Sequence, residues 1–290
     1  VFMNPIVENV IEVGSIMKPL TLAASMDNGS ITASTTYTDK GFLLFGSSKI
    51  ENYDGKARGL ADMQKVLNES LNTGAVFAMQ KMGKDKFRDY MLGYGFGEKT
   101  GIELPQEAKN NISNITGNSR DIEYATASFG QGIALTPIAM VSALSSLANG
   151  GLLMKPHIVK EESIKGLKNR VKVPQEIRRV IKKETSEEIT RMLINVVDNA
   201  LVGGIHKIEH YSVAAKTGTA QLVEGGKKSY SEEEFIHTFF GYAPAFDAKF
   251  LTFLFIVKPQ GAKYASNTLT EPFMDITKFL LNYYEIPPDR

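Results

Sequence analysis

The sequence lacks several features by which common protein classes are identified. None of its 290 residues is cysteine, which excludes disulfide bonds and thiolate metal sites and leaves the redox compartment open. No run of about 18 apolar residues is present, so no membrane-spanning helix is predicted. The net charge is +1 without a basic cluster, so nucleic acid is not an expected partner. With 43% apolar residues, the chain can still bury the core of one mixed α and β domain.

Three short motifs carry most of the information in the sequence. They are S-x-x-K at residues 15–18, S-x-N at 70–72 and K-T-G-T at 216–219. Each motif alone is weak, because a serine three residues before a lysine arises by chance in many chains of this size. Each of the three patterns occurs only once here. Together and in this order, they indicate an active-serine enzyme that acylates itself.

The first motif fits a serine nucleophile with a lysine base. Ser15 precedes an apolar helical stretch, so it would begin a helix and have Lys18 one turn later on the same face. A serine hydroxyl is a poor nucleophile until a base takes its proton, and Lys18 is a base only when neutral. Lowering a lysine pKa from ~10.4 to ~7–8 takes about 4 kcal/mol. Burial, the helix dipole and a second cation, for which Lys216 is the candidate, all act in that direction.

The other two motifs supply groups that can assist acyl transfer. Ser70 is expected to relay a proton to the leaving amine, and the Asn72 amide to hold Lys18 or a substrate carbonyl. Gly218 is expected to leave room for a ligand along a strand. The backbone N–H groups of Ser15 and Thr219 would then form an oxyanion hole.

Five further segments accompany the motifs, and the whole set resembles a known family. The resemblance is to the transpeptidase domain of penicillin-binding proteins, above all the class B, monofunctional D,D-transpeptidases of bacterial cell-wall synthesis. It covers nearly the whole chain. The additional segments are F-G-E-K-T-G-I-E-L-P at 96–105, S-F-G-Q-G at 128–132, T-P at 136–137, A-N-G-G at 148–151 and F-G-Y-A-P at 240–244.

The resemblance implies a fold. It is an α+β domain of the β-lactamase/D,D-peptidase type, with an antiparallel sheet flanked by helices and an all-helical subdomain. In that family two strands of the sheet precede the serine motif, and only 14 residues precede Ser15 here. The central sheet is therefore expected to hold three strands. Residues 1–290 are expected to be one penicillin-binding/transpeptidase domain, truncated at its N-terminus and part of a longer protein.

The resemblance also implies a reaction and its partners. Such a serine attacks the D-Ala-D-Ala end of a peptidoglycan stem peptide, releases the last D-Ala, and passes the acyl group to an amine on a neighbouring stem. Penicillins resemble that dipeptide and trap the same serine, and no cofactor or metal is needed. The implied location is the outer face of the bacterial cell membrane, with an N-terminal anchor outside this chain. A membrane glycosyltransferase of the SEDS type is a further implied partner through regions that are absent here.

Carried over residue by residue, the resemblance makes Ser15 the nucleophile and Lys18 the general base. Ser70 and Asn72 become the pair for proton relay and substrate positioning. Lys216 becomes the electrostatic partner, and the substrate carboxylate is expected on the segment Thr217, Gly218 and Thr219. Two positions depart from the usual family pattern without removing a reactive group: Leu71, where class B members more often have serine, and Ala215, where glycine usually precedes the lysine.

Local signals predict where several helices and strands lie. Thr136 followed by Pro137 predicts a helix that ends at Gly150. A capping box of Thr185 and Glu188 predicts the start of a second helix that runs to Gly203. Strands are predicted at 211–221, 235–243 and 249–257, with antiparallel pairing because short loops join them. A closing helix is predicted at 272–284, with one apolar face formed by Phe273, Ile276, Leu280 and Tyr284.

Three motif matches favour structural explanations over function. A second K-T-G at 99–101 lacks the final threonine and follows a glycine-rich turn, so it is not expected to be catalytic. The glycines at 93, 95 and 97 resemble a nucleotide loop, but no βαβ unit surrounds them, which favours a turn. The H-x-x-E-H pattern at 206–210 is not in a helix, as a zinc site would need, and favours a solvated approach to a strand.

Other outcomes for an acylated serine remain open. Glu107 and Asn111 reproduce the E-x-x-x-N spacing that class A β-lactamases use to activate water. We interpret Glu107 as structural, because it lies in the segment that resembles the transpeptidase signature. A D,D-carboxypeptidase would use the same residues. A non-enzymatic β-lactam sensor would lack the asparagine that is present here as Asn72.

Overall fold

The structure is a computed structural model that describes residues 3–117, 119–163, 170–223 and 230–290. Its described helices and strands form the predicted α+β architecture. The helices are α1 Lys18–Asp27, α2 Met63–Asn68, α3 Asn72–Met82, α4 Lys84–Gly93, α5 Ser113–Thr116, α6 Asp121–Ala127, α7 Pro137–Ala148, α8 Lys183–Asn195 and α9 Ala265–Tyr283. The strands are β1 Thr36–Asp39, β2 Phe42–Phe45, β3 Ser48–Glu51, β4 Gly59–Asp62, β5 Leu152–Lys155, β6 Glu161–Glu162, β7 Arg170–Val171, β8 Gln175–Arg179, β9 Ala214–Val223, β10 Tyr230–Ala243 and β11 Phe250–Val257.

The central sheet is antiparallel and has the order β11-β10-β9 in the described residues, so the expected three strands are found. β10 lies in the middle, with Phe240 opposite Lys216 and His237 opposite Thr219. One face packs on α9, where Phe239 stacks on Phe273 with ring centroids 4.3 Å apart. The other face closes the larger core, which contains α1. β9 therefore presents the K-T-G-T motif beside the start of α1.

Helix α1 passes through the core and carries the lysine of the first motif. Eight of its ten residues, 18–25, are buried, and a helix that is buried on all sides is held by packing against its neighbours. A 3₁₀ turn at Gly14–Met17 precedes it and holds Ser15. The prediction that the serine lies one turn before the lysine at a helix start is confirmed.

Two predicted helices differ from the structure at their starts. Helix α8 begins at Lys183, so Thr185 lies inside the helix and the predicted capping box is wrong. The Thr185 hydroxyl instead donates to Asp27 at the end of α1. The α-helical part ends at Asn195 and continues as a π turn at Val196–Ala200 and a 3₁₀ turn at Leu201–Gly204.

The closing helix α9 begins seven residues before the predicted start at 272, and Pro272 lies within it. Its buried face includes Leu269, Phe273 and Leu281, whereas Tyr284 is 57% exposed and lies beyond its end. Of the predicted apolar face, Phe273 is buried and Leu280 is half-buried, whereas the prediction was wrong at Ile276 and Tyr284, which are exposed. Helix α7 agrees with its prediction, since the Thr136 hydroxyl accepts a hydrogen bond from the Ala139 N–H.

Four small antiparallel pairs, β1–β4, β2–β3, β5–β8 and β6–β7, were not predicted. The expected all-helical subdomain therefore carries hairpins.

Strand β10 begins at Tyr230, five residues before the predicted start. Residues 224–229, which belong to the loop between the first two predicted strands of the sheet, lie outside the described residues. Within the described residues, none of the helices has the length and hydropathy needed to cross a membrane.

Candidate active site

The turn that holds Ser15 is built on two glycines in left-handed conformations. Gly14 has φ +64°, and its N–H donates to the Gly130 carbonyl at 3.1 Å. A Cβ at Gly14 would lie 2.8 Å from the Thr219 carbonyl oxygen, and one at Gly130 would lie 2.3 Å from the Gly14 oxygen. The S-F-G-Q-G segment is therefore packed against the serine turn. Only glycine permits this backbone contact, which brings Ser15 beside strand position 219.

Lys18 joins the first two motifs. Its Nζ lies 2.9 Å from Ser15 Oγ and 3.1 Å from Ser70 Oγ, and it also donates to the Ser70 carbonyl. The Lys18 side chain is fully buried. A neutral amine in this position can donate to the two Ser70 oxygens and accept the proton of the Ser15 hydroxyl.

Lys216 joins the third motif to the second. Its Nζ lies 3.0 Å from Ser70 Oγ and 3.0 Å from the Thr217 carbonyl, and Lys216 is only 3% exposed. The Ser70 hydroxyl is thus hydrogen-bonded to two lysines. Residues 18, 70 and 216, far apart in sequence, form one contiguous network with Ser15 at its end.

Burial shifts the pKa of both lysines downward. Burial is the main cause for Lys18, and the positive charge of Lys216 adds to it, so the pKa of Lys18 lies well below its usual value. Burial lowers the pKa of Lys216 to about 7. The downward shift favours the neutral form of Lys18, which a general base requires.

Of the two partners expected for the Asn72 amide, Lys18 or a substrate carbonyl, Lys18 is not contacted by Asn72 in the part of the chain that the structure describes, and it contacts Ser70 instead. The Asn72 amide donates to the Glu51 carbonyl at 2.7 Å. Leu71 is fully buried in the core, so the departure from the usual family pattern at this position does not alter the cavity.

Gly218 has a different role from the one predicted. A Cβ there would lie 2.3 Å from Thr238 Oγ1 and 2.8 Å from the Val13 carbonyl, so the glycine permits close packing behind the strand and does not make room for a ligand. Thr219 Oγ1 accepts a hydrogen bond from the Ala265 N–H at 3.1 Å. The Thr219 hydroxyl keeps its own proton to donate.

The motifs open onto a cavity of about 740 Å³. Six residues from the three motifs line it: Ser15, Ser70, Asn72, Lys216, Thr217 and Thr219. Lys18 is beneath the surface of this cavity and reaches it through the two serines. A volume of this size suits a small peptide or a bicyclic amide.

Sequence reasoning missed several cavity residues. Tyr53 and Tyr264 both line the cavity and touch edge to face, with ring centroids 5.6 Å apart. Phe129 and Gln131 line it from the S-F-G-Q-G segment, which had been noted without a role in the site. The tyrosines carried no signal, because their place depends on contacts between distant parts of the chain.

Glu12 is a further ionisable group beside the serine turn. The Tyr230 hydroxyl donates to its Oε1 at 3.2 Å, and Oε2 is buried without a hydrogen-bond partner among the described residues. Burial raises the pKa of Glu12 to about 7. This carboxyl was not singled out from the sequence.

The two rival motifs are in structural positions. Glu107 is 8% exposed and accepts hydrogen bonds from Thr100 N, Thr100 Oγ1 and Gly101 N at 2.7, 2.8 and 3.0 Å. It is not among the cavity residues. His206 is half-buried and His210 is exposed, and both lie outside any described helix. The described residues include no cluster of three or more His, Asp or Glu side chains fit for a metal.

A family model of the penicillin binding protein transpeptidase domain matches residues 1–278. The chain belongs to this family. Among family members, it is 34% identical to stage V sporulation protein D of Bacillus subtilis over 91% of this chain and 41% of that protein. It is 25% identical to the probable peptidoglycan D,D-transpeptidase PenA of Neisseria meningitidis over 99% of this chain and 47% of that protein. The chain thus spans less than half the length of these relatives.

Solved structures of family members share the fold. Penicillin binding protein 3 of Mycobacterium tuberculosis in complex with aztreonam superposes with a TM-score of 0.89 at 23% identity, over 99% of this chain and 66% of that one. The transpeptidase domain of Burkholderia pseudomallei penicillin-binding protein 3 gives 0.85 at 24% identity, over 99% and 83%. The predicted family and fold class are confirmed.

Proposed function

We propose that the chain is a serine D,D-transpeptidase that cross-links peptidoglycan stem peptides and is acylated by penicillins. The observation that carries this proposal is the buried Lys18 amine, hydrogen-bonded to both Ser15 Oγ and Ser70 Oγ. Relatives named as peptidoglycan D,D-transpeptidases, and a family member in complex with aztreonam, support it.

In the proposed acylation, Ser15 Oγ attacks the carbonyl carbon of the penultimate D-Ala while Lys18 Nζ takes the hydroxyl proton. The N–H groups of Ser15 and Thr219 would stabilise the oxyanion. The bond to the terminal D-Ala then breaks, and a proton passes through Ser70 Oγ to the leaving amine. Ser70 suits this relay because its hydroxyl also contacts Lys216 at 3.0 Å.

In the second half-reaction, the amine of a neighbouring stem attacks the Ser15 ester and gives up a proton through Ser70 Oγ to Lys18 Nζ. The new amide bond forms as the ester C–O bond breaks, and the released Ser15 Oγ takes that proton from Lys18. The substrate carboxylate would lie at Thr217 and Thr219 on the segment around Gly218, near the charge of Lys216. Asn72, anchored on Glu51, would offer its amide oxygen to the substrate. Penicillin would open its lactam on the same serine.

Among the alternatives, the position of Glu107 weighs against efficient β-lactam hydrolysis. Its carboxylate is occupied by Thr100 and Gly101 outside the cavity, so it has no route to a water at Ser15. A carboxypeptidase and a sensor have no specific observation in their favour.

We also propose where the reaction takes place and with which partner. Because peptidoglycan is cross-linked outside the cytoplasmic membrane, the chain would work at the outer face of the cell membrane. A membrane anchor and the contact with a SEDS-type glycosyltransferase would lie in the part of its relatives' length that this chain does not match.

An assay with a D-Ala-D-Ala stem peptide, with and without an amine acceptor, tests the reaction type. We expect free D-Ala together with a cross-linked product that requires the acceptor, and neither with Ser15→Ala. Release of D-Ala without cross-linking would indicate a carboxypeptidase. Rapid loss of a penicillin adduct would indicate a β-lactamase, and a stable penicillin adduct without peptide turnover would indicate a sensor.

A further inference from the structure

The backbone at Ser70 is in an uncommon conformation that its surroundings must hold. Ser70 has φ +55° in the turn between α2 and α3. A non-glycine residue with positive φ costs on the order of 1–3 kcal/mol and persists where neighbouring structure fixes it. The neighbouring structure here is the segment 36–62, which contains β1 to β4 and which we name the hairpin unit.

Asp39, at the end of β1, is the centre of the hydrogen bonds in the hairpin unit. It is 1% exposed, and it accepts from Gly41 N at 3.0 Å, Asn52 Nδ2 at 3.0 Å, Arg58 N at 2.9 Å and Thr73 Oγ1 at 2.7 Å. A buried carboxylate with this number of donors has little freedom to move. Three of its donors belong to the hairpin unit, and the fourth belongs to α3, next to the S-x-N motif.

The hairpin unit holds the chain on both sides of Ser70. Before Ser70, the Arg58 guanidinium binds Glu69 at 2.6 Å. After it, Asn72 Nδ2 donates to the Glu51 carbonyl at 2.7 Å. Thr73 is then fixed through its side chain by Asp39 and through its N–H by Asn52 Oδ1 at 3.3 Å.

We propose that Asp39 is a positioning residue for acylation, acting through Asn52 and Thr73 to keep Ser70 Oγ between Lys18 and Lys216. The proposal rests on the proposed function. Ser70 Oγ lies 3.1 Å from one amine and 3.0 Å from the other, so a displacement of about 1 Å would break both hydrogen bonds. Misplacement of this size commonly costs about 10²-fold in rate. Asp39 itself is not among the cavity residues.

Asp27, the last residue of α1, offers a control. It is half-buried and accepts three hydrogen bonds, from Lys182 N, Thr185 Oγ1 and Tyr90 OH at 2.7 to 2.9 Å, and like Asp39 it does not line the cavity. None of these three donors belongs to the hairpin unit or to the segment 69–73. Asp27→Asn should therefore also lower the melting temperature. A residue that merely stabilised the fold would behave alike at both positions.

The test measures the penicillin acylation rate at saturation, the affinity of the initial complex and the melting temperature. We expect Asp39→Asn to lower the saturating rate at least about tenfold with less than about threefold change in affinity, and Asp27→Asn to leave both nearly unchanged. The double variant Asp39→Asn/Asn52→Asp exchanges carboxylate and amide, so they can pair again. It should recover most of the lost rate.

A rate in Asp39→Asn equal to that in Asp27→Asn would overturn the proposal, as would an exchange variant that regains melting temperature but not rate. If Asp39→Asn does not fold, Thr73→Val and Thr73→Ser answer the same question, since only serine keeps the hydroxyl that donates to Asp39. We expect Thr73→Val to be slowed and Thr73→Ser to stay close to wild type, and equal rates would contradict the proposal. Failure of the wild-type chain to be acylated at all would reject the proposed function instead.

Discussion

The sequence Lys-Thr-Gly occurs twice, at 99–101 and at 216–218, and the two copies lie in opposite environments. Lys99 is exposed in the loop after α4, whereas Lys216 is 3% exposed on β9 and contacts Ser70. The amides of the first copy bind Glu107. Those of the second lie on a strand that borders the cavity.

The glycines differ in the same way. Gly101 has φ +71°, a left-handed backbone conformation that glycine adopts without steric cost. Gly218 is needed because it has no side chain, since Val13 and Thr238 occupy the space that a Cβ at this position would take. The reactivity of a lysine in this chain therefore comes from burial and from neighbouring cations and hydroxyls, and the three residue types Lys, Thr and Gly alone do not supply it.

We expect the largest loss of acylation rate when Lys18, the amine that shares the Ser70 hydroxyl with Lys216, is replaced. Lys18→Met keeps the length of the side chain and removes the proton acceptor, so penicillin acylation should fall by about 10²–10⁴-fold or more while the fold is kept. Stopped-flow acylation and circular dichroism measure the two quantities. An acylation rate equal to wild type would mean that another group is the base.

Lys216→Gln and Lys99→Gln test the comparison directly. Loss of the buried lysine removes a hydrogen bond to Ser70 Oγ and a charge near the substrate carboxylate, so acylation should slow by about 10²-fold. The exposed lysine should be replaceable with less than about a twofold change. Equal losses in the two variants would remove the distinction between the copies.

The pH dependence of the acylation rate should also distinguish Lys216 from Lys99. The Lys216 charge is one of two causes that lower the pKa of Lys18, so Lys216→Gln should raise that pKa. Because only neutral Lys18 accepts the Ser15 proton, the rise of the rate with pH should move to higher pH in Lys216→Gln. Lys99→Gln should keep the wild-type profile. A shift to lower pH, or none, would contradict this account of the electrostatics.

At Glu107, which accepts hydrogen bonds from the exposed copy, we expect an effect on stability more than on kinetics. Glu107→Ala leaves two N–H groups and a hydroxyl without their acceptor, so the free energy of unfolding should fall by about 1–3 kcal/mol. The acyl-enzyme lifetime should stay within about tenfold, or ~1.4 kcal/mol. A wild-type lifetime that is short and lengthens about a thousandfold in the variant would identify a β-lactamase.

Local signals predicted what depends on nearby residues. The position of Ser15 one turn before Lys18, the Thr136 cap and the three antiparallel strands all follow from spacing and short loops. The Thr185 cap failed because Asp27, 158 residues away, takes its hydroxyl. The start of α9 was missed because Pro272 looked like a beginning, although the helix tolerates it inside.

In the candidate site too, the reactive residues could be predicted and some of their contacts could not. The resemblance to a family predicted the reactive residues, and the structure brings Ser15, Lys18, Ser70 and Lys216 into one network. It could not indicate that Asn72 is anchored on Glu51, since that contact joins a small hairpin to a helix start. Contacts of this kind depend on tertiary packing and leave no periodic signal in sequence.

The central claim is that Ser15 is the nucleophile, and the mass of the intact chain after incubation with a penicillin tests it most directly. We expect one adduct per chain, located by peptide mapping on Ser15 and lost in Ser15→Ala. The adduct should still form in Lys99→Gln. An adduct on Ser70, or one that persists in Ser15→Ala, would contradict the account.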